Sequence, residues 1–295
     1  MADIISLTGD LGSGKSTVSS ILCERLKYDY VYTGEIQRKI ALRHGMTTTE
    51  LNKYAETHPE IDDEIDSTFK SLNNFERLIV DSRLAWFFIP DSFKVYMKTN
   101  LIISSERISG DKKRINENYA SKEEATHNII VRKTSENKRY AELYGANCSD
   151  LNNFNLIIDT SFIKPEKIAE VIIKEFDLWK ASQQKKTVSF ISPENLYPTT
   201  SPEDLNYGHY SVIHDSMKNN GYDSNNPVTV VNINSFDYIL DGDGHILTSC
   251  AIKNNIDLIP VTYKDEAINP VTSGMFHEWE DFNSFKYLIY PTINS

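Results

Sequence analysis

The chain has 295 residues, of which 40% are hydrophobic and 25% charged, a composition typical of globular proteins with a packed core. Its net charge of −11 argues against a nucleic-acid-binding surface, because such surfaces need an excess of lysine and arginine. The three cysteines, Cys23, Cys148 and Cys250, are far apart and lack zinc-ligand spacing, which argues against a disulfide framework or a metal knuckle.

The first 181 residues alternate apolar strands with amphipathic helices. The apolar run over 4–8 leads directly into a glycine loop, so we expect a buried strand there, not a signal peptide, and a cytoplasmic protein without a membrane span. Strands are predicted over 4–8, 30–32, 77–80, 93–98 and 156–159, and helices over 15–26, 35–44, 48–54, 60–72, 101–108 and 165–181. This alternation favours an α/β fold with a parallel sheet covered by helices on both faces.

A strongly charged stretch over 112–144 interrupts this alternation. It has few apolar anchors and is predicted to be helical. Its composition fits a solvated helix pair, and it also fits a mobile lid, which must stay soluble when it is open.

The character of the sequence changes after the polar segment 182–187, which we interpret as a linker. Short strands are predicted over 188–191, 228–233, 238–240 and 258–263, and helices near 212–219 and over 248–254. A first domain over 1–181 and a smaller α+β domain over 188–295 are therefore expected.

Residues 9–16, with the sequence GDLGSGKS, match the phosphate-loop (P-loop) pattern G-x-x-x-x-G-K-[ST] between a predicted strand and a predicted helix. Glycines let backbone N–H groups surround phosphates, and the helix adds the positive end of its dipole. Lys15 is expected to reach the β- and γ-phosphates as a catalytic group, and Ser16 to hold Mg²⁺. The predicted ATP-binding residues are Gly9, Asp10, Gly12, Ser13, Gly14, Lys15, Ser16 and Thr17.

The P-loop alone leaves the phosphate acceptor open, because GTPases, ATPases and small-molecule kinases share it. Further blocks, in order from about residue 4 to 176, resemble the cytidylate kinase family, most of all its short archaeal type. The blocks are YTGEIQR at 32–38, NKYAE at 52–56, HPEID at 58–62, VDSRLA at 80–85, ERI at 106–108, the lid residues Arg132, Ser135, Glu136, Arg139 and Tyr140, and IDTS at 158–161. The resemblance implies a three-layer nucleoside monophosphate kinase fold with a helical lid, which uses ATP and Mg²⁺ and accepts CMP or dCMP.

The resemblance places the acceptor-binding residues at Thr33, Arg38, Asp62, Arg83 and Arg107. Physical chemistry agrees for several of them. Arg38 and Arg83 lie at or just after strand ends, where open α/β sheets bind ligands, and guanidinium groups suit phosphate oxygens. Arg132 and Arg139 are seven residues apart, so they share one helix face and can stabilise the transferring phosphoryl group. Asp81 ends an apolar strand and is predicted to be a catalytic residue that orients Mg²⁺.

Some of these assignments have alternatives. Asp62 either hydrogen-bonds the base or ribose of the acceptor or complements the dipole of its own helix, and Arg107 also suits a surface ion pair. The chain has Ser82 where the family commonly has glycine, and Asn147 and Asn155 where it usually has acidic residues. These departures leave the preferred base and sugar open.

Residues 188–263 resemble the ParB/sulfiredoxin-like fold, whose members bind nucleotides or DNA and include ADP-dependent free serine kinases. The similar segments are SPENLYP at 192–198, PVTV at 227–230, ILDGDGH at 239–245 and IPV at 259–261. The resemblance implies a second nucleotide-related module. Its candidate residues are Asp243, Gly244 and His245, in a phosphate-binding turn before a helix, and Glu203, the nearest substitute for a family glutamate. His245 also suits an ordinary turn residue or helix cap.

The predicted function is an ATP-dependent (d)CMP kinase whose partners are small-molecule nucleotides. One alternative keeps the chemistry and changes the acceptor to another monophosphate or to free serine. The other is a nucleic-acid-binding regulatory protein in which the P-loop acts as a nucleotide switch. The acidic charge and the acceptor arginines argue against the switch. The oligomeric state does not follow from the sequence.

Overall fold

A computed structural model describes residues 3–55, 57–110, 122–182, 186–199, 208–233, 236–240 and 242–265. The chain divides into two compact units. The first comprises Met1–Ile157 and Lys164–Thr187, and the second comprises Ile158–Ile163 and Val188–Ser295. None of the helices in these described ranges is long and apolar enough to cross a membrane.

The first unit is an α/β structure built on a parallel sheet. Its strands are β1 (Ile4–Gly9), β2 (Asp29–Tyr32), β3 (Leu78–Asp81), β4 (Phe93–Lys98) and β5 (Leu156–Asp159), of which β5 continues into the second unit. Strand order is β2-β3-β1-β4-β5, and the pairs β2–β3, β1–β3 and β1–β4 are parallel. All six residues of β1 are buried, so helices cover both faces of the sheet at its centre.

Eight helices surround this sheet within the described residues. They are α1 (Lys15–Leu26), α2 (Thr33–Arg43), α3 (Thr48–Ala55), α4 (Pro59–Ser71), α5 (Ala85–Phe88), α6 (Leu101–Gly110), α7 (Lys122–Tyr144) and α8 (Pro165–Ser182). The alternation of strands and helices predicted from the sequence is confirmed. The sequence missed α5, because a four-residue helix is too short to show a periodic pattern. The first part of the predicted charged helix, 112–121, lies outside the described residues.

Within its described residues, the second unit has a mixed sheet and two α-helices. Its elements are β6 (Val188–Ile191), β7 (Leu196–Tyr197), α9 (Tyr210–Asn220), β8 (Val228–Ile233), β9 (Phe236–Ile239), α10 (Gly242–Lys253) and β10 (Ile259–Tyr263). The strand order is β6-β10-β8-β9-β7, with β10 antiparallel to β6 and parallel to β8. Its core contains Val230, Ile239, Cys250 and Ile259, each 0% exposed.

The prediction for the helix over 248–254 was wrong at its start, since α10 begins at Gly242. Gly242 and Gly244 each disfavour a helix locally, by roughly 1 kcal/mol relative to alanine, which is why the sequence favoured a turn. Burial of Ile246 and Leu247 in the core of the unit outweighs that cost.

The short segment 158–163 is part of the second unit, and the buried carboxylate of Asp159 forms hydrogen bonds with other residues of that unit. This group accepts hydrogen bonds from Ser161 N (2.9 Å) and Ser161 Oγ (2.5 Å), and from Ser192 N (3.2 Å) and Asn195 Nδ2 (3.0 Å). A charged group that is 0% exposed needs such a set of donors, because an unsatisfied buried carboxylate costs several kcal/mol.

Candidate active site

The P-loop connects β1 to α1 and depends on glycine at its two ends. Gly9 has a φ of +147°, and a Cβ atom there would lie 2.2 Å from the carbonyl oxygen of Met97 on β4. Gly14 has a φ of +78° and immediately precedes α1. L side chains rarely adopt either conformation, so both positions require glycine, one for close packing on the sheet and one for the turn into the helix.

Lys15 is the first residue of α1, and its ammonium group lies against the P-loop. Its Nζ donates to the carbonyl oxygens of Gly9 (3.1 Å) and Asp10 (2.9 Å) and to Ser13 Oγ (3.4 Å). The positive end of the α1 dipole is at the same place. A cation and a helix N-terminus together favour an anion at this loop.

One cavity of about 350 Å³ joins the P-loop to the ends of neighbouring strands. It is lined by Leu11, Gly12, Ser13, Gly14, Lys15, Ser16, Tyr32, Thr33, Gly34, Asp81, Ser82, Arg83 and Arg132. The lining brings together predicted ATP-binding residues, the predicted metal residues, two predicted acceptor residues and one lid arginine. They meet because β1, β2 and β3 are parallel neighbours whose carboxyl ends share one edge of the sheet.

Asp81 and Ser16, the two predicted metal residues, place a carboxylate and a hydroxyl in the lining of this cavity. The Tyr30 hydroxyl donates to Asp81 Oδ2 at 3.2 Å. Burial raises the pKa of the Asp81 carboxyl above its ordinary value, although the charges of Lys15 and Arg83 and the Tyr30 hydrogen bond act in the opposite direction. A hydroxyl and a carboxylate are the donors that Mg²⁺ takes from a protein when phosphates and water supply the rest. The donor set therefore fits Mg²⁺ bound together with a nucleotide.

Glu136 of α7 holds two arginines at the wall of the cavity. Its Oε1 accepts from Arg132 Nε at 2.8 Å, and its Oε2 lies 3.1 Å from Arg83 Nε. The Arg83 guanidinium also donates to the carbonyl of Gly9. One carboxylate thus keeps two like-charged groups close together, where they can face a phosphoryl group.

Arg38, Asp62 and Arg139 lie outside the lining of the cavity. Arg139 Nη2 is 3.4 Å from Asp62 Oδ1, which links α7 to α4. The Arg38 guanidinium donates to the Tyr32 hydroxyl and lies over the Tyr32 ring, 5.1 Å from its centroid. Because Tyr32 lines the cavity, Arg38 is connected to it through that ring.

Of the two remaining predicted acceptor residues, Thr33 lines the cavity, whereas Arg107 lies outside its lining. The Thr33 hydroxyl donates to the carbonyl of Asp81 at 3.5 Å and lines the cavity. Arg107 donates from Nη1 to the carbonyl of Gly12 at 3.2 Å, so it lies beside the P-loop. This placement follows from topology, because α6 follows β4, and β4 is paired with the strand that carries the loop.

Comparison with known proteins covers this same part of the chain. The AAA domain family matches residues 5–128. The cytidylate kinase of Thermoplasma volcanium is 33% identical over 178 residues, which are 59% of this chain and 90% of that protein. The chain belongs to the cytidylate kinase family. An S-adenosylmethionine-dependent nucleotide dehydratase of Lacinutrix mariniflava is 32% identical over 63% of this chain and 38% of its own length. The solved shikimate kinase of Bacteroides thetaiotaomicron covers 61% of this chain and 98% of its own at 16% identity, with a TM-score of 0.43.

Three predicted ATP-binding residues of this cytidylate kinase family member do not line the cavity, namely Gly9, Asp10 and Thr17. Gly9 packs on β4. Asp10 forms an ion pair with Lys133 of α7, in which Lys133 Nζ lies 2.9 Å from Asp10 Oδ1. Sequence reasoning missed Lys133. Its only sequence signal is that it follows Arg132 on the lid helix, which does not identify a partner 123 positions away.

The candidate residues of the second unit are placed differently from the prediction. Gly244 and His245 lie in the first turns of α10 and are buried, and the His245 ring is 0% exposed. His245 Nε2 accepts the N–H of Thr199 at 2.9 Å, so this nitrogen serves an internal hydrogen bond. Asp243 is exposed, and Glu203 lies outside the described residues. The predicted open turn before a helix is therefore corrected to the beginning of the helix itself.

Proposed function

We propose that the first unit transfers the γ-phosphoryl group of ATP to the phosphate of CMP or dCMP. The observation that carries this proposal is the single cavity whose lining combines the P-loop with Thr33, Asp81, Arg83 and Arg132. The family membership supports a nucleoside monophosphate as acceptor, and the relatives named cytidylate kinase favour the cytosine base.

In this mechanism the protein supplies position and charge, because phosphoryl transfer needs little covalent chemistry from its enzyme. Lys15 binds the β- and γ-phosphates of ATP, and Arg132 stabilises the charge on the group in transfer. Arg139 closes with the lid helix α7 onto the acceptor side, where it pairs with Asp62. Ser16 and Asp81 hold Mg²⁺, which neutralises phosphate charge when it is bound.

The acceptor phosphate is proposed to bind Arg83 directly, with Thr33 beside it on the cavity wall. Arg38 acts through the Tyr32 ring that it contacts, and Asp62 contributes to the recognition of the base or ribose. Arg107 serves the site from the P-loop side, through its hydrogen bond to Gly12. Several cations are needed because a triphosphate and a monophosphate approach each other closely.

A panel of acceptors tests this function. The whole chain is mixed with ATP and Mg²⁺ and with CMP, dCMP, UMP, AMP, GMP or free serine, and ADP release is followed by a coupled assay. The highest kcat/KM is expected for CMP or dCMP. Lys15→Ala is the control and should lower kcat on the order of a thousandfold without loss of fold, because Lys15 is a half-buried residue at the start of α1 whose Nζ donates to carbonyl oxygens of the loop. A higher kcat/KM for serine or for another monophosphate would show that CMP and dCMP are not the preferred acceptors. Activity retained in Lys15→Ala would show that the P-loop is not the site of phosphoryl transfer.

For the second unit we propose a nucleotide-related module of the ParB/sulfiredoxin-like kind, in a chain organised as a kinase domain over 1–181, a linker over 182–187 and a second domain over 188–295. The mixed five-stranded sheet with two helices supports an α+β domain. Because His245 is buried, any phosphate ligand would meet Asp243 and the first N–H groups of α10. A cytoplasmic location remains a prediction from the sequence.

A further inference from the structure

Asp10 occupies a variable position of the P-loop motif, yet three structural elements converge on its carboxylate. Oδ1 accepts from the Tyr96 hydroxyl of β4 at 2.9 Å, and Oδ2 accepts from Thr99 N at 3.0 Å, just after that strand. Lys133 Nζ of α7 donates to Oδ1 at 2.9 Å. The side chain of Asp10 is 12% exposed, so these three donors replace most of its contact with water.

The pair between Asp10 and Lys133 differs from an ordinary surface salt bridge. Burial acts to raise the pKa of the Asp10 carboxyl, but the charge of Lys133 and the hydrogen bonds from Lys133, Thr99 and Tyr96 hold it below its ordinary value. The carboxylate therefore stays ionised. Exposed ion pairs contribute little to stability, whereas removing the partner of a buried charge leaves that charge uncompensated and costs more. Here Asp10 is the buried member of the pair, and the Lys133 side chain is 38% exposed.

A second polar contact joins α7 to Arg83, whose guanidinium also donates to the carbonyl of Gly9, the residue before Asp10. Glu136 lies three positions after Lys133, so the two side chains share a helix face, and Glu136 contacts Arg83 at 3.1 Å. Lys133 thus fixes α7 to the P-loop, while Glu136 fixes it to the end of β3. Arg132, the neighbour of Lys133, lines the cavity and contacts the same Glu136 carboxylate at 2.8 Å.

We infer that Asp10 and Lys133 form a positioning pair that sets the lid helix against the P-loop and thereby places Arg132 for phosphoryl transfer. This inference rests on the proposed kinase function for its catalytic consequence. Asp10 is predicted from the sequence to bind ATP, but neither Asp10 nor Lys133 lines the cavity, and the Asp10 carboxylate accepts hydrogen bonds from three protein donors. Both residues act through the position of another group, Arg132.

The inference is tested with four variants of the whole chain: Asp10→Asn, Lys133→Met, the double variant and Lys133→Arg. Each single neutral variant should lower kcat at saturating ATP and CMP about tenfold, and change the Kd for ADP less than twofold. The double variant should be no worse than the poorer single variant, because the two residues act as one unit. Lys133→Arg should recover most of the activity. Lys138→Met is the matched control on the same helix, since Lys138 is 76% exposed and pairs with Glu142.

Amide hydrogen exchange gives a second measurement that does not depend on the reaction. In the nucleotide-free chain, Asp10→Asn and Lys133→Met should each speed exchange in α7 about tenfold, while Lys138→Met leaves it unchanged. If the wild type phosphorylates no monophosphate, the proposed function is wrong. The exchange rates then still show whether Asp10 and Lys133 hold α7 in place. The inferred positioning pair would be refuted if amide exchange in α7 is unchanged in both single variants. It would also be refuted if the loss of kcat in the double variant equals the product of the two single losses. A loss confined to Lys133→Met would instead make Lys133 a direct ligand of phosphate.

Discussion

At the scale of single residues, the metal-binding function that we propose for Asp81 conflicts with the stability of the ligand-free fold. Its carboxyl is largely buried at the end of β3, and burial raises its pKa despite the nearby charges of Lys15 and Arg83. The ionised form, which is the form that binds a metal, is therefore less favourable in the folded chain than in the unfolded chain. Residues that function in phosphate chemistry commonly carry such a cost.

We expect Asp81→Asn to lower kcat at least a hundredfold while it stabilises the ligand-free protein. A carboxyl whose pKa is raised on folding destabilises the fold as pH rises from its ordinary pKa to the raised one, and the amide cannot ionise. Denaturant unfolding of both proteins at a series of pH values measures this. The advantage of the variant should grow across that window and stay constant above it. A variant that is less stable than the wild type at neutral pH would contradict the argument.

The sequence indicated many residues of the cavity, because the P-loop motif and the family blocks are local patterns. It did not indicate the partners of Asp10 or the carboxylate that joins Arg83 to Arg132. The contact of Lys133 with Asp10 joins positions 123 residues apart, and that of Glu136 with Arg83 joins positions 53 apart (136 − 83), so the packing of α7 against the sheet is needed to create them. Local propensity contains no information about which distant charge a side chain meets.

At the scale of elements, the turn from β2 into α2 and the end of β3 form the part of the cavity wall that we propose binds the acceptor. Arg83 lines the cavity, whereas Arg38 reaches it through the Tyr32 ring. The sequence placed α1 correctly to the residue, because its apolar spacing and the preceding glycine agree. The sequence did not predict the correct start of α10, because the glycines there disfavour a helix while burial of the following apolar residues favours one.

This difference between the two arginines predicts graded effects on acceptor kinetics. Arg83→Ala should lower kcat/KM for CMP about a hundredfold or more, and Arg38→Ala only about tenfold, with little change in ATP affinity. Tyr32→Phe is the matched variant, because it removes the hydroxyl that Arg38 contacts and keeps the ring. It should reproduce part of the Arg38→Ala effect. Steady-state kinetics with each substrate varied in turn measures the effects, and a collapse of ATP affinity with normal acceptor kinetics would show that the two subsites are exchanged.

At the scale of the whole molecule, charge is distributed unevenly along the chain. All nine arginines lie at or before Arg139, within the sequence that forms the kinase unit. Residues 188–295 contain four lysines, no arginine and fourteen acidic residues, which accounts for nearly all of the net charge of −11. Cationic groups are thus concentrated where phosphates are transferred, and the second unit carries a strongly negative sequence.

This distribution predicts that the whole chain does not bind duplex DNA at physiological salt, with or without ATP. Binding of a duplex requires cations that displace counterions from many phosphates, and from Val228 to Tyr263 the only lysine or arginine is Lys253, which lies over the Tyr210 ring. Lys15, Arg83 and Arg132 line a cavity of about 350 Å³, a size that suits a small molecule and is too small for a double helix. Fluorescence anisotropy of a labelled 30-base-pair duplex, titrated at several salt concentrations, tests this, and the wild type and Lys15→Ala should give the same flat response. Salt-sensitive binding that appears with ATP and is lost in Lys15→Ala would instead establish a nucleotide-switched nucleic-acid-binding protein.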